Sequence, residues 1–439
     1  MPQLRKELTL YGLTMVAVGS CIGSGIFLTP GQVAAQLPSP VLILLVWGLG
    51  GLITLTGALT FAELGSMFPE SGGVYVYLRE GYGGLAGFLY GWAYLLVITS
   101  GGIAALTIAF ASYVDFLFPM GAPAQRIVAV AAIVVVTVIN IFRVKAAEMF
   151  SNVFTGLKLA GIAALVVIGL VMGSPSTLGA ETPTTVATGG MVSAFGVALI
   201  GVLWSYGGWQ HASYVAGEAV DAARTVPRAM IMGALIVTAA YLLTNTAYMF
   251  LLPVSDIAVS SSVAADAIDT VLPLGGKAIA VVIAISVFGT AGIYTLSAPR
   301  IYYAMARDGT FFPQLAEVHP TFRTPVNAIL VQSGWSIALL LFWGTFENAI
   351  TYVVFMDWIF FAMAALCIFR FRRTRPASQR PYSTLGYPLT PIIFIGVSAL
   401  FVVNTLIERP LQAGVGFVFT LLGIGVYLVF TRRGGGSEH

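Results

Sequence analysis

Long apolar runs, bounded by proline, glycine, asparagine and clusters of charge, set the pattern of this chain. An apolar run of about 20 residues crosses hydrocarbon as a helix. About twelve such runs are present, near 11–36, 40–67, 83–117, 125–142, 149–173, 190–219, 229–253, 277–304, 325–343, 348–369, 388–407 and 411–431. Several exceed the minimum length, which predicts tilt or breaks. No cleavable signal peptide is expected. The first run is too long, carries glycines in its middle and leads directly into further spans.

Composition sharpens this into an all-α integral membrane protein. Of 439 residues, 58% are hydrophobic and 9% charged, against about 25% charged in a soluble domain. A water-facing surface of this size would need more charge. A soluble enzyme, a nucleic-acid binder and a disordered scaffold are excluded on that ground. Cys21 and Cys367 both lie in apolar runs, so neither a disulfide framework nor a zinc site is implied. The net charge of +3 says little, but the placement of the charges says more. With the N-terminus in the cytoplasm and the runs alternating, seventeen of the 21 lysines and arginines fall on the cytoplasmic side. Only Arg126, Lys277 and Arg409 fall outside, and Lys158 falls within a span. Positive charge marks the cytoplasmic face, so an even number of spans with both termini inside is expected, with short outer loops such as 344–347. The basic run Arg370–Arg380 then reads as a cytoplasmic anchor. Residues 434–439 read as a flexible end or an expression remnant.

Two spans are interrupted. The first carries Gly19-Ser20-Cys21-Ile22-Gly23-Ser24-Gly25-Ile26-Phe27 at its middle, and the sixth carries Trp204-Ser205-Tyr206-Gly207-Gly208-Trp209. Each glycine costs a helix interior about 1 kcal/mol relative to alanine. In lipid an unwound stretch strands backbone polar groups, so it persists only beside a cavity or a ligand. Close helix packing is the competing reading, and Gly19 and Gly23 have the small-xxx-small spacing for it. Two clusters at matching places favour unwinding. Each lies midway along the first helix of a five-helix set, and five being odd, the second set enters from the opposite side. That is an inverted repeat, whose paired broken helices mark a midplane site. Free N–H groups at Ser24, Gly25 and Ile26 suit a carboxylate. Carbonyls around Cys21 and Trp204–Gly207 suit an ammonium. Both ends offered to one small ligand match an α-amino acid.

Lys158 lies about three turns into the fifth span. An ammonium at that depth costs roughly 2.5–3.5 kcal/mol. Either the side chain snorkels to the interface, or it reaches the cavity and pairs with carbonyls of the broken first helix, as a fixed cation or as a proton carrier. His211 is expected as a packing or interface residue with its hydrogen bonds satisfied, with a proton role as the alternative. Glu218, Asp221, Arg224 and Arg228 are expected as solvated or salt-bridged loop charges, with a gating pair as the alternative, and Arg300, Arg307 and Asp308 read the same way. Asp357 is left open between a cavity residue and a partner for a loop arginine. Trp204 is either an aromatic lid or membrane packing. The sequence contains no Walker loop, no HExxH or paired Cys/His pattern, and no arginine ladder.

In combination these residues resemble a known group. Gly19-Ser-Cys-Ile-Gly-Ser-Gly-Ile-Phe-Leu-Thr-Pro30 is similar to the first-helix signature of the amino acid–polyamine–organocation (APC) superfamily, in its L-type amino acid transporter (LAT-like) branch. Trp204-Ser-Tyr-Gly-Gly-Trp209, Gly217-Glu218 and Arg224-Thr-Val-Pro227 resemble that branch's sixth helix and following loop. Ser286-Val-Phe-Gly-Thr290, Arg300-Ile-Tyr-Tyr-Ala-Met-Ala-Arg-Asp-Gly309 and Thr324-Pro325 resemble its eighth helix and onward loop. The resemblance implies a LeuT-type fold of five-plus-five inverted helices, 1–175 and 176–375, followed by two further helices within 376–433, with helices 1 and 6 discontinuous. It implies Ser24 and Gly25 on the substrate carboxylate, and Cys21, Trp204 and Gly207 on the amino group. Trp204 is implied as a gate, and Lys158 as the lysine that replaces the sodium of sodium-coupled relatives. Ser20, Gly23, Ser205, Tyr206, Gly208 and Thr290 are further cavity candidates.

The expected function is sodium-independent transport of neutral L-amino acids by alternating access, through exchange or proton coupling, in the plasma (cell) membrane. The neutral preference rests on a pocket with no evident free carboxylate, Asp357 aside. A cationic amino acid or polyamine exchanger is the alternative, and an ion channel or a membrane-embedded enzyme is more remote. The partners expected are the amino acid, the lipid bilayer and protons. No cofactor, metal, nucleic acid or covalently linked subunit is expected.

Overall fold

The computed structural model describes residues 4–142, 144–175, 190–343, 346–377, 380–408 and 410–434. Arg143, Arg409, part of the loop 344–347 and the tail after Gly434 lie outside the described residues, as do the side chains of Arg432 and Arg433. Every apolar run of the sequence falls on helix. In chain order these are α1 Leu10–Cys21, α2 Gly25–Gln36, α3 Pro40–Met67, α4 Val74–Tyr82, α5 Gly84–Ala93, α6 Thr99–Leu117, α7 Ala122–Phe142, α8 Val144–Met172, α9 Gly190–Ser205 and α10 His211–Tyr214. They continue with α11 Ala222–Leu251, α12 Val254–Val259, α13 Val263–Asp269, α14 Gly275–Ser297, α15 Pro299–Arg307, α16 Val326–Trp343, α17 Phe346–Thr374, α18 Leu389–Glu408 and α19 Pro410–Gly434. Extended pairing among the described residues is limited to one bridge, between Leu8 and Ala219.

Among the described residues eight helical segments are long and apolar enough to cross a membrane by length and composition, with α1–α2, α5–α6 and α14–α15 each counted as one. Three shorter apolar helices accompany them, at Gly190–Ser205, Val326–Phe342 and Gly416–Phe430. Their outward faces are apolar too. Val134, Val135 and Val138 of α7, and Val153, Leu157 and Val171 of α8, are exposed, an arrangement that suits lipid rather than water.

The local chemistry of the first span explains its interruption. The Thr9 side chain caps α1 by accepting from the Gly12 N–H at 3.3 Å, and the helix runs until Ile22, whose ψ of 82° leaves the helical region. Gly23 and Ser24 make the turn, and α2 restarts at Gly25. The sixth span breaks in the same manner. α9 ends at Ser205, the chain turns through 206–210, and α10 begins at His211. Gly208 has φ +128°, a conformation open to glycine and strained for other residues. A Cβ there would lie 2.6 Å from the Ser20 carbonyl oxygen, so the two breaks meet backbone to backbone.

The interrupted helices sit at the centre. α1 packs on α11, α8 and α14, α2 packs on α9, and α3 runs along α11. Between α5 and α6 the helix widens into one π-helical turn, Tyr94–Ile98, a distortion that frequently accompanies functional sites.

Candidate functional site

The two breaks line a single cavity of about 50 Å³. Ser20, Cys21, Gly23, Ser24 and Gly25 come to its wall from the first break, and Trp204, Ser205, Tyr206, Gly207 and Gly208 from the second. Thr290 of α14, Tyr94 of the π-helical turn, Thr54, Thr99, Gln210, His211, Tyr294 and Asp357 add polar groups to the lining. The substrate-site candidates of the two glycine clusters all line it except Ile26, which is buried and absent from the wall.

At the first break the start of α2 faces this space. The N–H groups of Ser24, Gly25 and Ile26 meet no protein acceptor among the described residues, as expected of a helix's first turn. Ser24 makes no side-chain cap, and its buried hydroxyl has no hydrogen-bond partner. These donors, with the positive end of the α2 dipole behind them, form an anion-binding arrangement. Gly25 is needed for it, because a Cβ there would lie 2.7 Å from the Ser205 Cα.

Lys158 does not snorkel. Its side chain is fully buried, and Nζ donates to Gly19 O at 3.0 Å, Ile22 O at 2.7 Å and Thr290 Oγ1 at 2.8 Å. Three acceptors satisfy the three protons of an ammonium. Thr290 Oγ1 also approaches the Gly19 and Ile22 carbonyls, each at 2.9 Å, and Ser286 Oγ lies 3.2 Å from Ile22 O. Carbonyls released by unwinding are thus gathered around one cation.

Other carbonyls at the breaks also have partners. The Tyr241 hydroxyl of α11 stands 2.9 Å from Cys21 O and 2.8 Å from Ser205 O. The Cys21 thiol donates to Tyr206 O at 3.6 Å, and Gly207 N–H to Trp204 O at 3.1 Å. A carbonyl has two lone pairs; Cys21 O also accepts from Gly23 N–H at 2.9 Å and is filled, whereas the Trp204, Ser205 and Tyr206 oxygens retain capacity for one more donor. Trp204 is half-buried on the wall, while Tyr206 is buried and its hydroxyl donates to Trp47 O at 3.0 Å.

His211 has the packing role expected of it. It is buried, its Nδ1 lies 2.5 Å from Ser297 Oγ and its Nε2 3.2 Å from Tyr94 OH, and its ring stacks on Tyr294 at 4.3 Å. Glu218 and Arg300 take the salt-bridged form of the expectation, and with each other: they are paired through two hydrogen bonds, at 3.0 and 3.3 Å, and completely buried rather than solvated. The rest of that reading holds, since Asp221 and Arg224 form an exposed pair at 3.8 Å. Of the two alternatives left open for Asp357, the structure shows the cavity residue. It lines the wall from α17, and its Oδ1 has no hydrogen-bond partner. An acidic residue inside an apolar run carries no sign in sequence of which way it points.

Away from the cavity, Leu8 and Ala219 join the N-terminal segment to the stretch after α10, with Glu7 and Leu8 N–H both 2.9 Å from Glu218 O. Arg79 pairs with Asp308 and, at 3.0 Å, with Glu70, while Arg375 pairs with Glu80 at 2.8 Å.

Comparison with known proteins agrees with this architecture. The family model described as amino acid permease matches residues 8–430. The serine/threonine exchanger SteT of Bacillus subtilis (strain 168) is 35% identical over 435 residues, covering 98% of each chain. The Asc-type amino acid transporter 1 of Homo sapiens is 31% identical over 433 residues, 97% of this chain and 82% of the relative. The human b(0,+)-type amino acid transporter 1 is 30% identical over 435 residues, 98% and 88% of the two chains.

Proposed function

This chain belongs to the amino acid permease family of the APC superfamily, among L-type transporters rather than enzymes, and we propose that it is a sodium-independent exchanger of neutral L-amino acids. One observation carries the reading. The start of α2 and the turn after α9 bring peptide N–H and carbonyl groups to one cavity, beside a Ser24 hydroxyl with no partner. A zwitterion supplies what each lacks. Its carboxylate accepts from Ser24, Gly25 and Ile26, and its ammonium lies beside Cys21 and donates to the carbonyls of Trp204 and Gly207. Trp204 lies against the bound molecule as a lid.

The ammonium of Lys158 takes the part that sodium plays at unwound carbonyls in other carriers. With Gly19 O, Ile22 O and Thr290 Oγ1 around it, it fills the bridging position permanently. The remaining architecture follows the LeuT plan: two inverted five-helix repeats, 1–175 and 176–375, then two more helices, with both termini cytoplasmic. In that orientation the Leu8–Ala219 bridge, the Glu218–Arg300 pair and the Arg79–Asp308 cluster hold the cytoplasmic side together. Alternating access requires them to part. A substrate bound more tightly in one state than the other supplies the bias. The name of SteT, a serine/threonine exchanger, favours exchange over proton coupling, and both relatives' names favour amino acids over polyamines.

Counterflow in proteoliposomes tests this. Uptake of a labelled neutral amino acid is expected to saturate, to accelerate several-fold when the vesicles are preloaded, and to be unchanged when sodium is replaced by choline. An absolute sodium requirement, or non-saturable flux, would overturn it.

A further inference from the structure

We propose that Trp335 is a positioning residue for the amino acid site: its indole N–H holds the π-helical turn Tyr94–Ile98, which carries Tyr94, Ile98 and Thr99 onto the cavity wall. This rests on the amino acid site proposed above and deepens it. The turn closes with Thr99 N–H donating to Tyr94 O, five residues back. At ordinary α spacing, five residues separate two side chains by about 140° around the axis, so one of Tyr94 and Thr99 would turn away from the cavity. Both line it, together with Ile98. The Thr99 hydroxyl is buried there with no hydrogen-bond partner. The widened turn therefore sets this part of the wall.

Such a turn needs support from outside its own helix. Where the ladder returns from i→i+5 to i→i+4 bonds it passes over one carbonyl, and in lipid a freed carbonyl needs a donor. At this turn Leu96 O has one from another helix, Trp335 Nε1 of α16 at 2.8 Å. Trp335 takes no part in the cavity wall and is 37% exposed, so any effect it has on the site passes through the turn. Its own placement is unusual as well. It stands midway along the 18-residue α16, whereas tryptophan in membrane helices concentrates at the two interfaces. An indole at mid-span has no water for its N–H. The Leu96 carbonyl and the Trp335 N–H each supply what the other lacks.

The test uses the purified full-length protein in nanodiscs. Trp335→Phe keeps an aromatic ring and removes the donor. Calorimetric binding of a neutral amino acid is expected to weaken about tenfold, and the amides of residues 98–101 to exchange with deuterium several-fold faster. Trp335→His, whose Nε2–H reaches about as far as the indole N–H, should restore most of the affinity. Thr99→Val removes a wall hydroxyl directly. Because Trp335 acts through that wall, the losses from Thr99→Val and Trp335→Phe should combine to less than their product. Unchanged affinity in Trp335→Phe, a histidine variant no better than the phenylalanine one, or losses that multiply would overturn the assignment. So would a lowered Tm with affinity and exchange at the turn untouched. If the unaltered protein binds no amino acid, the functional reading beneath fails instead. The exchange comparison then still decides whether Trp335 holds the turn, and equal rates would overturn it.

Discussion

The Nζ of Lys158 lies 2.7 Å from the carbonyl oxygen of Ile22, joining the middle of α8 to the residue at which the first span leaves helical geometry. A helix unwound in lipid frees carbonyls that must find donors. Here the donors are a lysine ammonium and the hydroxyls of Thr290 and Ser286. The broken helix and the intramembrane charge account for each other, since neither is tolerable alone.

Removing the ammonium should therefore unsettle the break. Lys158→Ala is expected to lower amino acid uptake at least tenfold, because losing a charged donor costs about 1.5–3 kcal/mol. Thr290 remains near the same two carbonyls, so the protein should still fold. Initial uptake rates and size-exclusion profiles check this together. Unchanged uptake would make the lysine structural only.

The glycines where the breaks make their close approaches should resist the smallest enlargement. Gly25→Ala forces a methyl against the Ser205 backbone, and Gly208→Ala adds strain at φ +128°. Each is expected to lower stability by about 1–3 kcal/mol, read as a drop in Tm of the detergent-purified protein. Gly196→Ala, where a Cβ meets open space, serves as the control and should lie within about 0.5 kcal/mol of the parent.

Tyr241 ties the two breaks together, its hydroxyl within 3 Å of both Cys21 O and Ser205 O. One hydroxyl proton serves two acceptors, so the bond is shared or alternates. Tyr241→Phe keeps the ring packed against Trp47 and Tyr206 and removes only the donor. A loss of about 1–3 kcal/mol is expected, together with weaker substrate binding. Calorimetric affinity separates the second effect from the first.

The Glu218–Arg300 pair offers a double-mutant cycle. Arg300→Met strands a carboxylate with no exposure, at a cost of about 3–5 kcal/mol. Adding Glu218→Gln should recover most of that loss. If the single and double variants melt at the same temperature, the ion pair contributes nothing to holding this side of the protein together.

Much of this was legible in the residues. The glycine clusters at 19–25 and 207–208 announced both breaks because glycine in a lipid-spanning helix has few explanations. Lys158 announced itself by its depth. What escaped was whatever depends on orientation. Tyr241 lies in the run Ala239-Ala240-Tyr241-Leu242-Leu243 and reads as apolar filler. The π-helical turn at Tyr94–Ile98 has no glycine, proline or charge to mark it. Glu218 and Arg300 stand 82 positions apart, and each beside other charges reads as solvated or salt-bridged, since only tertiary packing shows that they pair with and bury one another. Asp357 was visible as an acid in a span, but its cavity-facing side was not.

The central claim is that peptide groups at the two breaks hold a dipolar molecule by both ends. An experimental structure with a saturating small amino acid tests it most directly. The account predicts the ligand between the breaks, its carboxylate within hydrogen-bond distance of the Ser24, Gly25 and Ile26 N–H groups and its ammonium toward the carbonyls of the 204–207 turn. A ligand found elsewhere, or α1 and α2 continuous through Ile22–Ser24 when it binds, would contradict it.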